Sequence, residues 1–264
     1  MSTILLAKNI QELIYQLNIN SGLQVVGGCS LIQPIPEKFI STFNNPELTT
    51  IERHERYIDI GAGATISDIL ELGQNHLPYI FYEALNSIAT PIIRNTATIG
   101  GNICAEGHKH TLFAPLMALD AKLEFQNSQG IETIPIQNFK KVPEKSVLTR
   151  IRVPIITPEV SVFRRLGPEH SITPQSASFA FAADTENNNL NYVRIAFAGP
   201  FTFRSKSFEN TLIGYRLPLV LKDIDYIQDK IEAEFKIAAT DQMLSETVKQ
   251  QFLNLVRFSF EQLM

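Results

Sequence analysis

Two glycine pairs, Gly27-Gly28 and Gly100-Gly101, are the residues of this sequence whose types and spacing best suit chemistry. Glycine lets a backbone take positive φ and approach a ligand closely, because no Cβ stands between them. Several N–H groups turned into one concavity can hold a phosphate or a diphosphate. The first stretch, Val25-Val26-Gly27-Gly28-Cys29-Ser30-Leu31, offers such a run, with the Ser30 hydroxyl as a further donor. A plain strand-to-helix turn with no ligand is the alternative reading. The spacing is not Gly-x-Gly-x-x-Gly, so the dinucleotide fingerprint of a Rossmann domain is absent. The second stretch runs from Ile93 to Ile103. There Thr98 and Asn102 can hydrogen-bond a ligand, and Gly100-Gly101 follows Ile99 with room for close backbone contact. Arg94 either neutralises a phosphate or, with Asn95, braces the loop.

Other groups are weaker candidates. Cys104, Glu106, His108 and His110 have a spacing that permits a transition metal, but alternating histidines are common on loops that bind none, which is the favoured reading, and no metal ligand is assigned. Cys29 and Cys104 are the two cysteines of the chain. They exclude a disulfide framework and an iron–sulfur cluster held wholly by this chain, which needs about four thiolates. Tyr79, Phe81 and Tyr82 either stack on a planar ligand or pack in the core.

With 264 residues, 44% hydrophobic and 19% charged, the chain is long enough to bury one large core or two smaller ones. A net charge of -4 disfavours nucleic-acid binding, which needs a basic surface. There is no Lys/Arg cluster for an acidic membrane and no run approaching the ~20 apolar residues of a membrane helix. The apolar run near Met1 is too short for a signal-peptide core, so the expected location is cytoplasmic.

The elements that must position the glycines follow from periodicity and caps. Asn9 with Glu12 predicts a capped helix carrying Ile10, Leu13, Ile14 and Leu17. Leu23 to Val26 reads as a buried strand ending at the first glycine pair. Tyr57 to Gly63 alternates as a strand, and Thr65 with Asp68 starts another capped helix. Thr98 to Ile103 is expected to be a loop, and Leu112 to Ala121 a buried helix despite Pro115. Lys122 to Phe125 and Ile131 to Ile136 form a hairpin with a longer loop. Pro154 to Pro158 is the candidate linker. Beyond it a second hairpin turns at Asn187-Asn188-Asn189, and helical patterns cover 205–212, 222–238 and 245–263.

The three motifs Gly27-Gly28-Cys29-Ser30-Leu31, Ile60-Gly61-Ala62-Gly63-Ala64-Thr65 and Arg94 to Ile103 together resemble the FAD-binding medium subunit of the xanthine dehydrogenase, aldehyde oxidase and carbon monoxide dehydrogenase family. Leu112 to Leu123 resembles the family's helix and strand. Arg194 to Gly199, with Arg204, Glu209, Leu212 and Gly214, resembles its C-terminal flavoprotein domain. The resemblance implies an α+β chain: an FAD-binding PCMH-type (vanillyl-alcohol oxidase-like) domain of two subdomains at 1–155, then a small α+β domain at 159–264 with a three-stranded sheet. It implies FAD as cofactor, bound by Val26, Gly27, Gly28, Cys29, Ser30, Leu31, Thr98, Ile99, Gly100, Gly101, Asn102 and Thr111, with no catalytic residue. Thr111 falls where the family often has an aspartate, so one hydrogen bond is kept and a carboxylate lost. Arg164 or Arg165 stands near a commonly lysine position. The implied role is electron relay from a [2Fe-2S] small subunit, with hydroxylation at the molybdenum cofactor of a large subunit. The rivals are a stand-alone FAD oxidoreductase and a scaffold subunit without flavin.

Overall fold

The computed structural model describes residues 3–31, 36–43, 45–107, 109–168, 172–239 and 244–264. The chain forms two compact units. Unit 1 comprises Met1–Leu77, Ile88–Glu106 and Asp120–Ile155; unit 2 comprises Pro78–Ser87, Gly107–Leu119 and Ile156–Met264. Helices and strands mix in both, an α+β architecture. No helix among the described residues is long and apolar enough to cross a membrane.

Unit 1 holds two sheets. Strands β1 (Thr3–Leu6), β2 (Gln24–Val26) and β3 (Lys38–Ser41) make a parallel sheet in the order β1-β3-β2. Helix α1 (Ile10–Ile19) starts at Asn9, whose Oδ1 accepts from Glu12 N–H at 2.7 Å while the Glu12 carboxylate accepts from Lys8 N–H at 2.9 Å. That reciprocal pair satisfies two donors at the helix start. Leu13, Ile14 and Leu17 then share a core with Ile40 and Leu48. β2 forms where a strand is expected, but it is an edge strand and its side chains are exposed or half-buried, not buried.

The second sheet is antiparallel: α2 (Pro46–Thr49), β4 (Ile51–Arg53), β5 (Tyr57–Gly61), α3 (Ile66–Leu70), and later β6 (Lys122–Asn127), β7 (Gly130–Pro135) and β8 (Val147–Pro154) supply it, in the strand order β4-β5-β8-β6-β7. The β6–β7 connection is tighter than expected. Asn127 pairs with Gly130, and its Oδ1 accepts from the N–H groups of Gln129 and Gly130. In β5, Ile58 and Ile60 are buried as the alternation requires, yet Asp59 between them is only 3% exposed. It lies opposite Arg152, which donates to both of its oxygens at 2.8 Å and stacks over Tyr57 at 4.2 Å. Donating to the Asp59 carboxylate also holds the Arg152 guanidinium above its usual pKa. Asp59→Asn should cost about 1–3 kcal/mol, because one acceptor facing Arg152 becomes a donor. Urea unfolding checks this, and an unchanged midpoint would show the pair to be neutral.

In unit 2, β9 (Val160–Leu166), β10 (Ala177–Glu186), β11 (Asn189–Ala198) and the two-residue β12 (Thr202–Phe203) form an antiparallel sheet in the order β12-β11-β10-β9, four strands where three are expected. Asn187 and Asn188, at φ 52 and 58, make its β10–β11 turn. Positive φ at both positions matches the twist of a two-residue hairpin, and asparagine tolerates it. One face carries Phe179, Phe181, Ile195 and Phe197. It packs on α9 (Leu221–Ala238) and α10 (Glu246–Glu261), where Phe235 and Phe252 stack with centroids 4.0 Å apart. On the other face the small residues Ala180, Ala182 and Ala196 admit α7 (Phe113–Ala118), whose residues are all buried. Helix α4 (Tyr79–Asn86) packs on β9, and α8 (Lys206–Leu212) on β11.

Candidate cofactor site

The two glycine motifs meet in unit 1. A Cβ on Gly28 would stand 1.5 Å from the Thr96 carbonyl oxygen, and one on Gly27 would stand 2.7 Å from Thr98 Oγ1. Neither glycine has positive φ. Their missing side chains make room for the second motif, not for an unusual backbone angle. The left-handed residue of the first loop is Cys29, at φ 51, a conformation that costs a non-glycine residue roughly 1 kcal/mol.

The second motif is a helix start instead of a loop. Helix α6 (Ile99–Cys104) is capped by Thr98, whose Oγ1 accepts from Gly101 N–H at 3.1 Å. Ile99 N–H donates to Ala64 O at 3.0 Å, Gly100 N–H to Ala62 O at 2.9 Å, and Asn102 N–H to Thr98 O at 3.0 Å. Those bonds tie α6 to the Gly61–Thr65 turn, itself capped by the reciprocal Thr65–Asp68 pair. A Cβ on Gly100 would stand 2.6 Å from Ala62 O. The backbone donors of this motif are thus held by protein acceptors. Arg94 ends α5 (Pro91–Arg94), and Asn95 Oδ1 accepts from Ser67 Oγ, so Asn95 does brace the segment.

The first loop is different. Among the described residues no acceptor meets the N–H groups of Gly27, Gly28, Cys29, Ser30 and Leu31. They run from half-buried at Gly27 to exposed at Ser30. A left-handed residue inside such a run turns successive N–H groups toward one side, the geometry of an anion-holding nest. Donors left open at a partly exposed loop are available to a ligand in place of solvent, and a diphosphate supplies several oxygens. The donor set therefore fits the diphosphate of a dinucleotide cofactor.

Residues 1–156 match the family model described as the FAD binding domain in molybdopterin dehydrogenase. The chain belongs to that family. Its cofactor is FAD, and the family is one of oxidoreductases. The chain is 30% identical over 191 residues to the xanthine dehydrogenase FAD-binding subunit of Escherichia coli O157:H7, a match spanning 65% of this chain and 62% of that one. It is 27% identical over 219 residues to the carbon monoxide dehydrogenase medium chain of Hydrogenophaga pseudoflava, 76% of this chain and 75% of that one. Its fold is that of a chain in the reconstituted CO dehydrogenase from Oligotropha carboxidovorans, with a TM-score of 0.84, 18% identity, and 100% and 97% of the two chains covered. The expected α+β flavoprotein fold of this family is thereby found.

Thr111 belongs to unit 2, just before α7, and lines a depression with Lys109, His110, Arg165 and Ser176 that has room for about one water molecule. Phe81 is buried, whereas Tyr79 is 43% exposed. Neither Cys29 nor Cys104 is in a disulfide. His108 lies outside the described residues, and among those no group of three His, Cys, Asp or Glu side chains could hold a metal.

The family-like residues of unit 2 are structural. Glu209 accepts from Arg204 Nε at 3.0 Å, from Arg204 Nη2 at 3.1 Å and from Ile195 N–H at 3.0 Å. Arg204 also donates to Met117 O, and Arg194 lies 3.8 Å from Glu209 while stacking over Tyr192 at 4.3 Å. This network joins β11, α8 and α7. Sequence alone pairs the residue types but not their burial.

Proposed function

We propose that this chain is the FAD-carrying, electron-transferring subunit of a molybdenum hydroxylase of the xanthine dehydrogenase type. The observation that carries the reading is the run of N–H groups from Gly27 to Leu31, which meets no acceptor among the described residues and is seated on the second glycine motif. FAD, when bound, supplies a ring that exchanges electrons singly or in pairs. The chain's residues bind and orient it. In this reading Gly27, Gly28, Cys29, Ser30 and Leu31 present backbone donors and the Ser30 hydroxyl, and Val26 borders the cofactor at the end of β2. Thr98, Ile99, Gly100, Gly101 and Asn102 form the floor that fixes that loop, and Thr111 contributes one hydroxyl.

No side chain is assigned a proton-transfer role, because relay needs none. The relay from [2Fe-2S] centres on a small subunit to a final acceptor, and hydroxylation at a molybdenum cofactor on a large subunit, belong to the cytoplasmic assembly. Two cysteines, too few for a cluster of this chain's own, favour that division. The test is to mix the purified chain with FAD, remove free ligand and record the visible spectrum. Retained flavin absorbance is expected. Its absence, in the chain alone and in the assembly, would sink the reading.

A further inference from the structure

β9 is the outermost strand of the unit 2 sheet, and among the described residues no strand pairs with its free edge, although it carries Arg164 and Arg165 and α4 and α10 pack against it. The opposite edge, β12, is two residues long. β9 is seven residues long, contains no proline, and pairs with β10 in unbroken register from Val160 to Leu166. Long regular edges are normally blunted by bulges, prolines or covering elements, because their outer N–H and C=O groups template another strand. Among the described residues, the backbone groups of Val160 to Arg164 make no bond outside the β9–β10 ladder except that Phe163 O accepts from Arg164 Nη1.

A cavity of about 410 Å³ runs along this strand, and Val160, Ser161 and Val162 all line it. Consecutive strand side chains point to opposite faces, so a space touching all three lies at the strand's edge. Its walls include Tyr79 of α4 and Phe258 of α10, 43% and 42% exposed. Arg164 opens into the same space and pairs with no carboxylate among the described residues. Glu159, also in the lining, accepts from Thr185 Oγ1 at 2.6 Å instead.

We propose that this groove docks one extended peptide segment, which adds to the sheet beside β9 and sets an acidic side chain against Arg164. Main-chain bonds would give affinity and the charge would give specificity. A second copy of this chain fits less well, because its own β9 edge carries the same flanking Tyr79 and Phe258 side chains, which stand in the way of the ~4.8 Å spacing of paired strands. The inference is independent of the cofactor.

The test uses the full chain and an acetylated, amidated peptide of alternating valine and glutamate, about seven residues long to match the strand. Saturable binding is expected, with β9 amides becoming protected from hydrogen exchange. The peptide has two edges, and N-methylation of every second residue blocks one of them. One of the two N-methylated isomers should bind at least about tenfold more weakly, and the other normally, since only one edge faces β9. Arg164→Glu should reverse the preference toward a valine–lysine peptide while leaving the thermal midpoint in place. No saturable binding, equal binding of both isomers, or a dimer that Arg164→Glu dissociates would overturn the proposal.

Discussion

Glu209→Ala should lower the stability of unit 2 by about 3–5 kcal/mol, the range for breaking a buried ion pair from one side. The side chains of Glu209 and Arg204 are 1% and 2% exposed. Removing the carboxylate takes the charged partner from a buried guanidinium that also donates to the Met117 carbonyl, and takes the acceptor from Ile195 N–H. Glu209→Gln keeps shape and one acceptor but not the charge, so its loss should be smaller. Replacing Glu209 and Arg204 together by apolar residues should recover much of the loss, because no unpaired charge then remains buried. Urea unfolding followed by circular dichroism reads all three. A Glu209→Ala loss below about 1 kcal/mol would show that water reaches Arg204.

The parts of the fold that sequence anticipates are those whose determinants are local. Asn9, Thr65, Ser205 and Ser245 each cap the helix they precede, because cap and capped N–H lie within three residues. Asn187-Asn188 marks its hairpin for the same reason. What sequence hides is pairing across long separations. Asp59 reads as the outward residue of an alternating strand, and its burial goes with arginines 91 and 93 residues away. β1 and β3 run parallel with α1 and β2 between them, so no turn signal joins them. The segments Pro78–Ser87 and Gly107–Leu119 belong with the C-terminal unit, although nothing in their composition separates them from their neighbours.

The site is legible to the same depth. Two glycine pairs announce close approach, but sequence cannot say what approaches. The protein itself fills the Cβ side of Gly27, Gly28 and Gly100, and positive φ falls on Cys29, where no glycine flags it.

That distinction makes Gly28→Ala a discriminating variant. Its Cβ would lie 1.5 Å from Thr96 O and 2.5 Å from Thr96 C, backbone atoms that cannot swing aside. The first loop must therefore lift off the second motif, at about 3 kcal/mol or more, the upper end of overpacking losses. Gly101→Ala meets only Thr98 Oγ1, at 3.0 Å, and should cost far less, although it crowds the cap of α6. If Gly28 served only to admit a ligand, Gly28→Ala would unfold like the parent without FAD and differ only in flavin retention. Loop-on-loop packing instead requires the thermal midpoint to fall in the absence of FAD and flavin absorbance to be lost as well. Measuring both, with and without FAD, separates the two roles. A variant with an unchanged midpoint and no retained flavin would assign Gly28 to the cofactor alone.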